Sequence, residues 1–189
     1  MTNLDGDGLR LRRLRTTDLT VVDLAAIRDL MDVAFDSDDE EERFTDEDWE
    51  HSVGGTHVVL DRNGVLVAHA SVVERPIEID GRRFRTGYME AVATAPAQQG
   101  RGHGTTVVTA ATELIRAAFE LGVLGTGAHH FYERLGWETW TGQAFVRTPE
   151  GLTRTPDEEG FLLVLRTPTS PGFDLSGSIS CDWRPGDVW

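Results

Sequence analysis

The segment from Tyr88 to Gly104, YMEAVATAPAQQGRGHG, constrains the fold of this chain more than any other. It begins as a β-rich apolar run, passes through a proline-bearing loop and ends in glycines that alternate with polar residues. From Thr105 onward the apolar residues follow helical spacing, so the sequence predicts a strand, a loop and a helix. The first N–H groups of a helix have no partner within it, and glycines let a phosphate approach them. We therefore predict a phosphate-binding loop, with a plain glycine-rich connection as the alternative.

Two familiar nucleotide-binding loops do not fit this segment. A Walker loop requires Gly-Lys-Ser/Thr, and the segment contains no lysine. A dinucleotide fingerprint requires G-x-G-x-x-G near the start of a βαβ unit, whereas the spacing from Gly100 to Gly104 is G-x-G-x-G in mid-chain. The sequence thus predicts a phosphate loop of another kind.

Length, charge and cysteine content limit the class of protein. A chain of 189 residues is long enough for one sizeable core, so we predict a single domain over residues 1–189. The net charge of −14 disfavours nucleic acid and anionic membranes as partners and favours a cationic one, although such a charge also serves solubility alone. The single cysteine, Cys181, excludes an intrachain disulfide, and no run approaches the roughly 20 apolar residues of a membrane span. We predict a cytoplasmic protein.

Apolar periodicity along the chain predicts the element order β, α, α, β, β, β, loop, α, β, α, β, β. This order fits a mixed α/β sandwich with helices on both faces of one sheet. Thr16–Asp18 is predicted to cap the first helix, and turn residues predict hairpins at 61–64 and 79–82. Residues 149–160 are predicted to form a loop with its own acidic patch, followed by a strand over 161–165.

An acidic run extends from Asp36 to Asp48 and contains nine acidic residues and one arginine. Its composition predicts a solvated loop, except that Thr45–Asp48 has the pattern of a capping box before a short helix. A solvated face is the ordinary role of such a run. A rim that attracts cations is the functional alternative.

The pattern Gln99-x-x-Gly102-x-Gly104 resembles the pyrophosphate loop of the GCN5-related N-acetyltransferases (GNATs). The resemblance implies the GNAT fold, an α/β (α+β) fold with a mixed, mostly antiparallel central sheet, helices on both faces and a splayed strand pair at the acyl-CoA site. It also implies acetyl-CoA as cosubstrate. The implied contacts to acetyl-CoA are Val92, Ala93, Thr94, Gln99, Gly100, Arg101, Gly102, His103, Gly104 and Thr105.

Three catalytic groups follow from the same resemblance. The N–H of Val92 would stabilise the oxyanion, although it could equally be an ordinary sheet N–H. Glu90 would accept a proton from the attacking amine, although a strand glutamate often only faces water. Tyr132, in a string that resembles the family's F-Y-x-x-x-G-W motif, would protonate the leaving thiolate, the alternative being an aromatic core pair with Phe131. His129 and its neighbour lack partners at ligand spacing, so no metal is predicted.

The C-terminal sequence Cys181–Trp189, CDWRPGDVW, resembles the C-D-W/F-R-x-G-D-x-W ending of the aminoglycoside 2'-N-acetyltransferases. Further segments agree with that family, namely residues 48–51, 54–55, 87–90, 132–137 and 153–157. The resemblance implies acetyl transfer from acetyl-CoA to the 2'-amine of an aminoglycoside, antibiotic inactivation and a homodimer. The implied acceptor contacts are one of Asp36, Asp38 and Asp39, together with Glu90, Ala91, Gly125, Asp157, Glu158, Asp187 and the terminal carboxylate of Trp189.

The chain departs from the family pattern at two acceptor positions. A gapless match places Arg43 where the family has an acidic contact, and Gly125 stands where the family has a serine. An acetyltransferase for another small cationic amine is therefore a second reading. A non-catalytic acyl-CoA-binding sensor is a third, against which the presence of both Glu90 and Tyr132 argues.

Overall fold

The computed structural model describes residues 2–4, 8–39 and 43–189, and the chain forms two compact units. The first unit extends to Val73 and includes Met89–Ala111. The second comprises Glu74–Tyr88 and Thr112–Trp189. Strand β7 (Thr86–Thr94) and helix α3 (His103–Ala118) each contribute residues to both units. That the chain is one domain stays a prediction.

The first unit is a sheet with helices packed on it. Its strands are β1 (Thr2–Leu4), β2 (Leu9–Arg15), β3 (Thr56–Arg62), β4 (Val65–Glu74) and the second half of β7, in that order across the sheet. The strands β1 to β4 pair antiparallel. Helix α1 (Val21–Ala34) buries Ile27, Leu30 and Met31 against Val59 and Ala93, and α2 (Asp46–Ser52) follows it. Burial of these apolar side chains joins α1 to the sheet.

Local sequence explains where these elements begin. Helix α1 begins after a capping box between Thr20 and Asp23, so the predicted cap at Thr16–Asp18 is wrong. Those residues instead form a 3-10 turn. The capping box of α2, formed by Thr45 and Asp48, is confirmed. Of the acidic run, residues 40–42 lie outside the described residues.

The second unit contains two sheets. Its elements are β5 (Ile77–Ile79), β6 (Arg82–Phe84), β8 (Leu121–Gly125), α4 (His129–Glu133), β9 (Glu138–Thr139), β10 (Gln143–Thr148), β11 (Gly151–Arg154), β12 (Leu162–Arg166) and β13 (Ser178–Asp182). One sheet has the order β7-β8-β12-β9 and the other β11-β10-β13-β5-β6. Only the pairs β7–β8 and β10–β13 of these sheets are parallel among the described strands. The predicted mixed, mostly antiparallel α/β fold is confirmed, but the expectation of one sheet is wrong, because β5, β6, β10, β11 and β13 form a second sheet.

Three parts of the second unit differ from the sequence prediction. The predicted loop at 149–160 contains strand β11 and a 3-10 turn at Pro156–Glu158, because residues 148–151 close a β10–β11 hairpin. Strands β10 and β13 were not predicted either, because their short sequences, QAFVRT and SISCD, contain few apolar residues and carry little hydrophobic signal. Within the residues that the structure describes, no helix is both long and apolar enough to cross a membrane.

Candidate functional site

The glycine loop of the first unit has the backbone conformation that only glycine adopts at low cost. After a 3-10 turn at Pro96–Gln98, Gly100 and Gly102 have φ of +73° and +82°. A Cβ built at either position would meet no atom within 4 Å, so open space lies beside the backbone at both. Helix α3 begins at His103, two residues before the predicted Thr105, which places Gly104 and Thr105 in its first turn. The loop therefore presents backbone N–H groups and the positive end of the helix dipole.

Contacts within the loop fix this conformation. The backbone N–H and the hydroxyl of Thr106 both donate to the Gly102 carbonyl, at 3.0 and 3.1 Å. The Gln99 side-chain amide lies 3.4 Å from the carbonyl of Thr94 at the end of β7. Arg101 is exposed and His103 is buried. A phosphate on this loop would thus meet main-chain donors first, with Arg101 as a nearby cation.

Strand β7 is distorted directly before the residues predicted to contact acetyl-CoA. Ala91 has φ of +49° inside the strand, a conformation that costs a non-glycine residue about 1–3 kcal/mol. The buried side chains of β4 hold this distortion, since His69 Nδ1 lies 2.7 Å from the Ala91 carbonyl oxygen and Ser71 Oγ donates to the Glu90 carbonyl at 2.9 Å. The Glu90, Val92 and Thr94 residues are half-buried, and Ala93 is buried.

The polar residues on β3 and β4 that support β7 were not predicted from the sequence. His57, His69 and Ser71 are fully buried in strands that are otherwise mostly apolar. A polar residue in the middle of a buried strand needs a hydrogen-bond partner. The positions of these polar residues within apolar strands were therefore the signal that could have revealed their support of a neighbouring strand.

The acids predicted after helix α1 remain unassigned. Asp36, Asp38 and Asp39 lie in an exposed segment. The Arg43 guanidinium donates to the Ser37 carbonyl at 2.7 Å, so a cation lies in this acidic segment. Their contact with the acceptor stays a prediction.

In the second unit, two arginines fix the C-terminal segment, residues 181–189. The Arg75 guanidinium, which is buried, donates to the carbonyls of Asp182, at 3.0 Å, and Val188. It lies 5.0 Å from the centre of the Tyr88 ring, and Arg184 lies 5.7 Å from the same ring. These cation–π contacts and hydrogen bonds join the segment to strand β7.

The last residue of the sequence is packed rather than exposed. Trp189 is 4% exposed, and its indole N–H donates to Thr155 Oγ1 at 3.0 Å. Arg184 donates to the Asp187 carbonyl at 2.8 Å and lies 3.4 Å from the main-chain oxygen of Trp189. This oxygen, predicted to contact the acceptor, therefore already has a cation beside it. A Cβ on the exposed Gly125 would come within 4.0 Å of the Trp189 carbonyl carbon.

Three of the predicted acceptor contacts share one electrostatic environment. Asp157 and Glu158 lie in the 3-10 turn at 156–158, and Asp187 lies in the C-terminal segment. Burial raises the pKa of Glu158 above its ordinary value, and the negative charges of Asp187 and Asp157 raise it further. Burial and neighbouring negative charge both disfavour the charged form of a carboxyl group. The acidic cluster, Asp157, Glu158 and Asp187, therefore concentrates negative charge in the second unit.

Tyr132 on helix α4 combines aromatic packing with a protonated hydroxyl. Its ring makes edge contacts with Phe131, at 4.9 Å between centroids, and with Trp137, at 6.3 Å, as the core-pair alternative expects. Burial raises the pKa of Tyr132 to about 12, so the hydroxyl remains a proton donor at neutral pH. The packing and the predicted role as an acid are compatible.

A metal is not needed to explain any of these groupings. His129 Nδ1 lies 3.2 Å from Thr139 Oγ1. Across residues 2–4, 8–39 and 43–189, no three His, Cys, Asp or Glu side chains come together as metal ligands.

Comparison with known proteins gives a family and a fold. Residues 24–137 match the model of the Acetyltransferase (GNAT) family. An aminoglycoside 2'-N-acetyltransferase of Mycolicibacterium fortuitum is 39% identical over 182 residues, which cover 94% of this chain and 91% of that protein.

Solved structures agree with this assignment at the level of the fold. A GNAT family acetyltransferase from Brucella melitensis in complex with acetyl-CoA has a TM-score of 0.61 at 20% identity, covering 92% of this chain and 96% of that one. The GNAT family N-acetyltransferase YhbS from Escherichia coli, in complex with CoA, has a TM-score of 0.62 at 16% identity, covering 96% and 93%. The family match includes Glu90, the glycine loop and Tyr132, and it spans more than half of the sequence. The chain belongs to the GNAT family of acetyltransferases.

Proposed function

We propose that the protein transfers the acetyl group of acetyl-CoA to the 2'-amine of aminoglycoside antibiotics. The observation that carries the choice of acceptor is the acidic cluster of Asp157, Glu158 and Asp187, in which burial, and then the charges of Asp187 and Asp157, raise the pKa of Glu158. An aminoglycoside carries several ammonium groups, and each is stabilised by a charge-assisted hydrogen bond to a carboxylate. The 39% identical relative is named for the same reaction.

Acetyl-CoA is proposed to bind along β7 and the glycine loop. The open backbone at Gly100 and Gly102 and the N-terminus of α3 suit a pyrophosphate. The main chain of residues 92–94 would hydrogen-bond the pantetheine arm. Two relatives of the same fold are solved with acetyl-CoA or CoA bound, which supports this cosubstrate.

The proposed chemistry is direct attack of the amine on the thioester. Glu90, directly or through a water molecule, takes a proton from the ammonium and frees the nitrogen lone pair. The nitrogen forms a bond to the thioester carbon, and the Val92 N–H stabilises the oxyanion. The carbonyl re-forms as the C–S bond breaks, the Tyr132 hydroxyl gives its proton to the thiolate, and the nitrogen loses its second proton to solvent to leave the amide. Proton exchange with solvent returns both side chains to their starting states.

A thiol-release assay with a panel of amines tests this proposal. We expect rapid CoA release with an aminoglycoside that carries a 2'-amine and none with its counterpart that carries a 2'-hydroxyl. Equal rates with both would contradict transfer to that amine. Activity only on other small cationic amines would support the second reading, and acetyl-CoA binding without CoA release for any amine would support a sensor.

The finer features of this function are part of the same proposal. A homodimer, expected from the family resemblance, is tested by light scattering on the purified protein. Antibiotic inactivation in the cytoplasm is tested by the growth of cells that express the chain in the presence of aminoglycosides.

A further inference from the structure

Two buried histidines in the first unit have no role in the chemistry proposed above. His57 on β3 and His69 on β4 are both 0% exposed, and their ring centroids are 5.2 Å apart. His57 Nδ1 lies 2.9 Å from His69 Nε2. The two histidines are the centre of a row of hydrogen-bonded groups. At one end, Thr16 Oγ1 lies 2.9 Å from His57 Nε2, and at the other, His69 Nδ1 lies 2.7 Å from the Ala91 carbonyl oxygen. Three hydrogen bonds thus connect Thr16 to strand β7.

The direction of every bond in this row follows from its last acceptor. A carbonyl oxygen can only accept, so His69 carries its proton on Nδ1 and has a lone pair on Nε2. His57 must then donate from Nδ1, which leaves its Nε2 to accept from the Thr16 hydroxyl. Burial lowers the pKa of His57 to about 4 and that of His69 to about 3, so both rings are neutral at pH 7. The row has one proton arrangement.

The carbonyl at the end of the row belongs to the same peptide group as the proposed oxyanion donor. The Ala91 carbonyl and the Val92 N–H are part of one planar trans peptide and point in opposite directions. A bond that fixes the direction of the carbonyl therefore fixes the direction of the N–H. It also polarises the peptide, which makes the N–H a stronger donor.

The conformation of β7 needs such a bond. Consecutive carbonyls in an extended strand point to opposite sides, yet Glu90 and Ala91 both direct their carbonyls to side chains of β4. The positive φ of Ala91, +49°, is the turn that makes this possible. A residue with a Cβ holds such a conformation only when its surroundings impose it.

We propose that His69, backed by His57 and Thr16, is a positioning residue for acetyl transfer that aims the Val92 N–H at the thioester oxygen. The proposal rests on the proposed function, because it assumes that acetyl-CoA binds along β7. His69 itself touches neither substrate, and its effect passes through the Ala91–Val92 peptide. The side chain that matters is the donor at Nδ1, not the bulk of the ring.

The decisive measurement is the infrared carbonyl stretch of bound [1-13C]acetyl-CoA, because hydrogen bonding lowers that frequency. In His69→Leu we expect the stretch to rise relative to the native protein and kcat to fall about tenfold to a hundredfold, as for a weakened oxyanion donor. The Kd of CoA, which has no thioester carbonyl, should not change. His69→Asn keeps an N–H near the position of Nδ1 and should retain most of both properties.

Controls separate positioning from general damage. Ser71→Ala removes an equally buried bond to the same strand, but one to the Glu90–Ala91 peptide, so the stretch should rise clearly less than in His69→Leu. An equal rise in both variants would mean general damage to β7. If His69→Leu does not fold, the double variant Ala91→Gly/His69→Leu is compared with the single variant Ala91→Gly, because glycine tolerates the positive φ at position 91. The carbonyl stretch of bound acetyl-CoA should be higher in the double variant than in Ala91→Gly.

Two failures are distinguishable. An unchanged stretch in a folded His69→Leu protein that binds acetyl-CoA normally would overturn the positioning role and leave the proposed function intact. Absence of acetyl-CoA binding to the native protein would overturn the proposed function and the positioning role together.

Discussion

The two units supply different kinds of binding surface. In the first unit the candidate acyl-CoA surface is main chain: two glycines with positive φ, the start of α3 and a strand distorted at Ala91. In the second unit the candidate acceptor surface is a set of side-chain charges, Asp157, Glu158 and Asp187, on segments fixed by other side chains. Backbone donors suit a ligand shared by a whole family, whereas side-chain charges are readily exchanged between its branches. The comparison predicts that cosubstrate affinity depends on conformation and acceptor affinity on charge.

The largest expected effect tests whether CoA affinity depends on the main-chain conformation of the glycine loop. Gly102→Val puts a branched side chain at φ +82° and into the open space beside the loop. We expect a loss of CoA affinity of about a hundredfold or more, since both the conformation and the access of the pyrophosphate are lost. Calorimetric titration with CoA measures it.

A matched glycine separates strain from loss of the site. Gly81, in the β5–β6 hairpin of the second unit, has φ of +76° and equally open surroundings. Gly81→Val should lower stability by a similar amount and leave CoA affinity unchanged. An equal loss of CoA affinity in both variants would contradict a specific role of the glycine loop in CoA binding.

The next effect concerns a single hydroxyl in the second unit. Tyr132→Phe keeps the aromatic contacts with Phe131 and Trp137 and removes the proton that the raised pKa of about 12 retains. We expect kcat to fall about a hundredfold while both substrate affinities stay near native values, as for a general acid. Steady-state kinetics with both substrates varied provides the measurement. Unchanged turnover would leave Tyr132 as a packing residue only.

The difference between the main-chain surface of the first unit and the side-chain surface of the second also explains which features could be predicted from the sequence. The glycine loop is local, so its spacing from Gln99 to Gly104 predicts its conformation, whereas its ligand is implied by the family resemblance and stays a prediction. The hairpin turns at 61–64 and 79–82 are local too, and both have the positive φ angles that Asn-Gly and Asp-Gly favour. These two hairpin turns were therefore predicted from the residues alone, whereas the cap of α1, also local, was placed at Thr16–Asp18 in place of Thr20.

Contacts between distant residues could not be predicted in this way. Arg75 joins Asp182 and Val188, more than a hundred residues away, and no spacing rule encodes that pair. The bond from His69 to the Ala91 carbonyl ends on main chain, which leaves no trace at position 91. The residue roles carried over from the family resemblance remain predictions, because no ligand contact fixes them.

A smaller effect tests whether the acceptor surface depends on charge. Asp187→Asn keeps the oxygen that accepts from the Trp189 N–H, 3.1 Å away, and removes only the charge. We expect the acceptor KM to rise about tenfold, in line with a lost charge-assisted bond, and the acetyl-CoA KM to stay constant. Initial rates with each substrate varied would show it.

The control for this charge is Glu150→Gln, an exposed acid of the same unit in the β10–β11 hairpin. It changes the net charge equally and should leave both KM values as they are. A rise in the acceptor KM in both variants would mean that overall charge, not the acidic cluster, attracts the acceptor.

The smallest effect compares two neighbouring glutamates whose pKa values move in opposite directions. Burial, and then Asp187 and Asp157, raise the pKa of Glu158, whereas the hydrogen bonds from Arg154 lower that of Glu159. A raised carboxyl pKa means that the folded state loses stability as the pH rises from 4.5 through the folded value. Glu158→Gln should therefore raise Tm by about 1–2 °C at pH 7, and the gain should disappear as the pH falls below 4.5.

Glu159→Gln should do the reverse, because a lowered carboxyl pKa stabilises the fold at pH values above 4.5 and that stability is lost as the pH falls through the folded value. Its Tm should be lower than native at pH 7 and converge with native in acid. Thermal unfolding followed by circular dichroism across this pH range measures both. Shifts of the same sign in the two variants would show that Glu158 already has a cation partner in the free protein, and the acidic cluster would then have no uncompensated charge left for the acceptor.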